Sequence, residues 1–171
     1  SYENYSSPIL DTAPPFMELD LYFPYEYGFR FVEHLYEQGG FDSVNSAYHN
    51  VPLSTEQIMH PERYPGDKPI YVDLESFEEK LGPNWVELDK NTMGEWSTYL
   101  ILSQAHDPSF QLPEDQAKLA VEGWGGDAYS IYHNEETDEM IFIMDSVWDT
   151  SLDADEFAAA LTQYANLRWG T

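Results

Sequence analysis

Four apolar residues at spacings of four, three and four, Tyr25, Phe29, Val32 and Tyr36, run almost directly into Gly39-Gly40. No other feature constrains this chain as much. An α-helix gathers such positions onto one side, so a helix is predicted over residues 25–38, with Leu35 beside the stripe. Glu26, Arg30, Glu33 and Glu37 fall on the other side, and Glu26 and Arg30 are placed to pair one turn apart. The two glycines supply the left-handed stop that ends a helix. The ordinary meaning of such a stripe is a face packed on a core, with a solvated back.

Further helices are predicted by their start signals. Asp42 opens a short one over 42–49, and Ser54 with Gln57 forms a capping box for 54–60, closed by Pro61. Thr92 with Glu95 opens a helix over 92–104 that is apolar nearly all round and so expected to be buried. Pro113 opens 113–122, and Asp153 with Glu156 caps 153–165, whose face is Phe157, Leu161 and Tyr164. Strand-type residues occupy Ile70–Leu74 and Trp85–Leu88, with a helical turn within Glu75–Leu81. Gly123-Trp124-Gly125-Gly126-Asp127 reads as a tight loop that lets Trp124 pack. After it come the strands of a hairpin, 128–133 and 139–147, joined by an acidic tip. Met140–Met144 is continuously apolar, as in a central strand covered on both faces. The expected fold is therefore α+β: residues 1–22 an irregular lead-in rich in proline, and 23–171 one domain of helices around a small antiparallel sheet.

Charge narrows the function classes. Thirty-two acidic residues against seven basic ones give a net charge of −25, which repels nucleic acid and anionic membranes. No apolar run reaches the ~20 residues of a membrane span. Aromatic residues at 16% argue against disorder. Such a surface suits a secreted or salt-exposed protein, or one that meets a cationic partner; solubility alone also accounts for it. Cysteine is absent, which removes disulfides and thiolate chemistry together. Ser1 is not a methionine, so a piece of a longer protein is expected. Asn4-Tyr5-Ser6 matches a glycosylation sequon.

Few residues are arranged for chemistry. There is no nucleophile elbow and no phosphate-binding glycine loop. The five histidines, His34, His49, His60, His106 and His133, form neither HExxH nor a close pair. Glu56 and His60 lie one turn apart and are the candidate catalytic or ligating pair; equally, a histidine at a helix C-terminus and a glutamate in a capped first turn are structural features. Asp149, Asp153 and Asp155 are the candidate calcium ligands, although Asp153 already serves as a cap and no EF-hand spacing is present. No cofactor is expected within this chain.

Five segments in order, FPYEYGFRFVEHLYEQGGFDSVNSAY, PLSTEQIMHPERY, NTMGEW, GWGGDAYSIY and VWDTSLDADEF, resemble the C-terminal part of HExxH-type zinc metallopeptidase-like proteins, exported or surface proteins of Chloroflexi-like and other bacteria. The resemblance covers roughly residues 20–160. It implies that the zinc ligands, an HExxH helix and a glutamate in an EGDA-like segment, lie upstream of the residues matched here; neither motif occurs in this chain. It further implies an extracytoplasmic, non-catalytic region whose 25–38 helix packs beside the metal helices, leaving the Phe29, Val32 and Tyr36 face partly uncovered or covered by another chain. The partner would be its own N-terminal portion or another protein. Glu56 and His60 would then line the cleft; an oxyanion-donor role for His60 is a separate expectation from the chemistry of imidazole, not from the resemblance. The competing expectation is an acidic, aromatic-rich extracytoplasmic binding or structural module for a cationic partner, a glycan or calcium.

Overall fold

A computed structural model describes residues 12–170. Among them the chain is α+β, with six α-helices and a three-stranded antiparallel sheet. The first helix, α1, begins at Pro15 and runs to Ala47, so residues 15–22 are helical where an irregular lead-in was expected. The prolines that read as breakers act as starters: Pro14 is the N-cap and Pro15 sits in the first turn, where a missing N–H costs nothing. The Asn4 sequon and the start of the lead-in lie outside the described residues. Gly39-Gly40 interrupts the helix as expected, with Gly40 at φ +63°. The short helix expected over 42–49 is the continuation of α1 beyond this kink.

After α1 the chain forms a hook: α2 (Thr55–Met59), a 3-10 turn over Pro61–Arg63, then an irregular stretch to α3 (Glu78–Leu81). Ser54 caps α2 as predicted, its hydroxyl accepting the Gln57 N–H at 3.2 Å. The strands follow as β1 (Trp85–Asn91), β2 (Trp124–Asn134) and β3 (Met140–Trp148), in spatial order β1-β2-β3. Between β1 and β2 lie α4 (Gly94–Ser103) and α5 (Glu114–Val121), and α6 (Ser151–Trp169) ends the described chain. In register, Asn91 faces Tyr129 across the first pair and Tyr129 faces Met144 across the second.

Several expectations change. The central strand is β2, not the 140–144 run; β3 is an edge, with Met140 and Phe142 exposed. A continuous apolar run does not distinguish a doubly covered strand from an edge strand with one open face. Residues 70–74 form no strand, but the Ile70 N–H donates to the Gly125 carbonyl at 2.6 Å. The glycine-rich segment is therefore the start of β2 rather than a loop. A side chain at Gly126 would collide with the Ile70 backbone, so its glycine permits that crossing. The capping boxes also move. Thr150, not Asp153, caps α6, its hydroxyl accepting the Asp153 N–H at 3.3 Å while Asp153 accepts the Thr150 N–H at 2.9 Å.

The core joins α1, α4, α5 and α6 around Phe23, Trp96, Tyr99, Leu102, Val121, Phe157 and Tyr164. On α6 the inward residues are Phe157, Ala160 and Tyr164, and Leu161 is exposed. Trp96 is the hub: its ring lies 4.7 Å from Phe23, 5.2 Å from Tyr27 and 5.5 Å from Tyr99, and its indole N–H donates to Asp20 at 3.1 Å. The inward stripe of α1 is Leu19, Phe23, Tyr27, Phe31 and Leu35, a row at spacing four, of which the first three join this core while Phe31 packs edge-on to Tyr64 after the hook's 3-10 turn. The row predicted to be buried, Tyr25, Phe29, Val32 and Tyr36, is the outer one. No described helix is long and apolar enough to cross a membrane.

Candidate functional site

The hook carries the most concentrated charge chemistry of the fold. Because Ser54 holds the first turn of α2 and the Gln57 side chain accepts the Leu53 N–H at 2.7 Å, Glu56 is turned inward and is 1% exposed. Arg63, from the next turn, donates to Glu56 Oε1 at 2.5 Å. The same guanidinium lies 3.8 Å from Asp149 and 3.9 Å from Glu122. His60 is not paired with Glu56; its Nε2 lies 2.8 Å from Glu95 Oε1. Glu95, in the first turn of α4, is 1% exposed, and its other oxygen is buried with no hydrogen-bond partner among the described residues.

Burial pushes the Glu56 carboxyl up to about 7, with Arg63 opposing the shift. The bond to Glu95 raises His60 above its ordinary value, against the effect of burial. Burial also raises Asp149. A carboxyl near neutrality beside an imidazole is a pattern used in acid–base chemistry. Yet the neighbouring cavity of about 400 Å³, bounded by residues including Ser54, Thr55, Ile70, Met93 and Trp124, is lined by neither Glu56 nor His60. Glu56 is held by Arg63 within the hook, while His60 ties the hook to α4 through Glu95 and Arg63 lies against Asp149, just beyond the end of β3.

The candidate calcium trio is not assembled. Asp153 is engaged by Thr150 and Asp155 lies exposed on α6. Asp149 instead meets Glu56 and Asp67, with carboxylate oxygens within 4.8 Å of one another. This is the one group of three convergent donors among the described residues. Its all-oxygen set suits a hard cation, not the imidazole-rich set of a hydrolytic zinc. The Arg63 guanidinium already lies against two of its three members.

Sequence reasoning missed Arg63, Asp67, Glu95 and Asp127. Asp127 supplies the start of α4: its carboxylate accepts the Met93 and Gly94 N–H groups at 2.7 and 2.8 Å and the Trp124 indole at 2.9 Å. That frees Glu95 from the capping box predicted for it. One signal was available: a lone carboxylate in a helix apolar all round must find a buried partner.

The second functional feature is a surface. Tyr25 is 77% exposed and Phe29 63%, and Tyr22, Val32 and Tyr36 are exposed beside them. Beyond the kink Phe41 sits edge-on to Tyr36, ring centres 5.1 Å apart, extending the ridge.

No curated protein and no solved structure matches the chain. Residues 81–171 match a family described as a domain of unknown function, DUF8575. The match takes in Glu95, Asp127 and Asp149 but neither α1 nor the hook. It spans more than half of the sequence, and the chain accordingly belongs to the DUF8575 family.

Proposed function

We propose that this chain is a non-catalytic supporting unit of an extracytoplasmic zinc metallopeptidase-like protein, docked through the outer face of α1 onto another folded unit. One observation carries the reading: the outer row Tyr22, Tyr25, Phe29, Val32 and Tyr36 is exposed along a helix whose opposite row is buried. Exposed apolar surface of this extent usually marks an interaction site. The inward-facing, mutually paired Glu56, Arg63, His60 and Glu95 fit a supporting role, holding the hook in place beside α1. The acidic surface accords with an exported protein. Incubating the chain with casein and added zinc should give no cleavage. Robust cleavage, abolished by Glu56→Gln, would overturn the reading.

A second reading is favoured by the charge of −25: an acidic binding module for a cationic partner or for calcium. Calorimetry with calcium tests its metal form. Heat that disappears in Asp67→Asn/Asp149→Asn would favour it, and a flat titration would count against it.

A further inference from the structure

The outer row of α1 has a spacing of its own. Tyr22, Tyr25, Phe29, Val32 and Tyr36 step by three, four, three and four, the a and d pattern of a helix that pairs with one other helix along a narrow seam. The buried row steps by four throughout, as for packing on a globular core. At 3.6 residues per turn the two rows lie roughly half a turn apart, so occupancy of the inner face leaves the outer seam free. From Tyr22 to Tyr36 the seam is about 21 Å long at 1.5 Å per residue.

The edges of the seam differ. Glu26 and Glu33 take the e positions, with Glu37 on the same side, and all three are exposed. The opposite edge carries Leu21 and Gly28, and a side chain at Gly28 would meet nothing within 4 Å. Arg30 lies on the same flank as the glutamates and pairs with Glu26 at 2.9 Å, so that flank carries three carboxylates against one guanidinium and stays net acidic, while the other is open to close approach at Gly28. Charges at e and g positions set partner choice in paired helices. A second copy of the chain would bring a further −25, and in an antiparallel pair its acidic flank would face this one. An anionic lipid surface is disfavoured by the same charge.

We infer that the outer face of α1 binds a partner helix carrying an apolar three–four seam with lysine or arginine along the edge that meets Glu26 and Glu33. This rests on the docking reading above and names the chemistry of its partner. The test uses two helical peptides with leucine at every a and d position, one flanked by lysine and one by glutamate, titrated into the whole chain by fluorescence anisotropy. The lysine peptide should bind at least about tenfold tighter, a difference of about 1.4 kcal/mol, and should weaken as salt is raised. The order should reverse in Glu26→Lys/Glu33→Lys, and binding should be lost in Phe29→Ser/Val32→Ser with the thermal midpoint unchanged. Equal binding of both peptides would overturn the charge-selective partner while leaving docking in place. Binding of neither peptide, with Phe29-dependent dimerisation, would assign the face to a second copy and overturn the inference. Partition into neutral phosphatidylcholine vesicles without peptide binding would overturn it in favour of a lipid surface. Zinc-dependent casein cleavage would instead remove the docking reading itself.

Discussion

Helices α1 and α4 are both apolar on more than one side, and the fold treats them oppositely. In α4 most of the circumference is used: Trp96, Tyr99, Leu100 and Leu102 are buried, even its lone carboxylate Glu95 is enclosed, and only Ile101 is exposed. In α1 only one row is covered, and a comparable aromatic row faces outward. The difference lies in what surrounds each helix. Helix α4 is enclosed by α2, α5, α6 and β2 and by Asp20, Phe23 and Tyr27 of α1 against Trp96, whereas α1 meets the rest of the chain along a single side. An apolar residue is buried by its neighbours, and its own hydrophobicity cannot say whether they are present.

Substitutions sharpen this contrast. Trp96→Ala should have the largest effect, losing roughly 3–5 kcal/mol in chemical denaturation. Arg63→Met should cost roughly 3 kcal/mol at pH 8, because it strands the buried Glu56 charge. The loss should shrink at pH 5, where Glu56 is neutral; an equal loss at both values would show that the residue acts by packing. Asp127→Ala should come next, at roughly 2–3 kcal/mol, since it leaves two N–H groups of α4 and an indole unpaired. By comparison Thr150→Ala, at the local cap of α6, should cost only about 1 kcal/mol. Phe29→Ser should be nearly silent, within about 0.5 kcal/mol. A large loss there would mean that the outer row supports the isolated fold, and the distinction between the two helices would fail.

The pH profile tests the junction between the two regions. Glu56 has a folded value of about 7, above its ordinary 4.5, so its contribution to stability is fullest below about 4.5 and is lost as pH rises through about 7. His60, also raised, acts in the same direction: its contribution is present below its ordinary value and lost as pH rises through the elevated one. Unfolding free energy should therefore fall between pH 5 and pH 8, with Glu56 accounting for up to roughly 3 kcal/mol. Glu56→Gln should flatten that part of the profile. An unchanged slope would place the pH dependence elsewhere on this acidic surface.

Much of the fold was legible in local chemistry. The Gly39-Gly40 break, the Ser54 cap, the hairpin around the acidic 134–138 tip and the burial of most of the helix expected over 92–104 all follow from residues close together in the chain. The candidate pair Glu56 and His60 does lie in one charged cluster, and Arg63 and Asp67 follow within the same hook, but Glu95, Asp127 and Asp149 come to their places from three other segments. Pairings of that kind depend on long-range approach, which spacing does not encode. Burial of the wrong row of α1 has the same origin. Both rows are apolar and both match a helical period, so amphipathicity offers two answers and packing selects one.

The sequence by itself determined the Gly39-Gly40 kink, the Ser54 start of α2 and the hairpin around the acidic tip, because caps, glycine kinks and side-chain periodicity act over a few residues of backbone. It also determined an acidic surface, since nearly all its charges are of one sign. Only the tertiary structure decided which side of α1 faces the core, that β2 rather than β3 is the central strand, and that Asp127 rather than Thr92 begins α4. Each of those depends on a neighbour far away in the chain, whose presence changes the cost of burying a group without altering the local pattern.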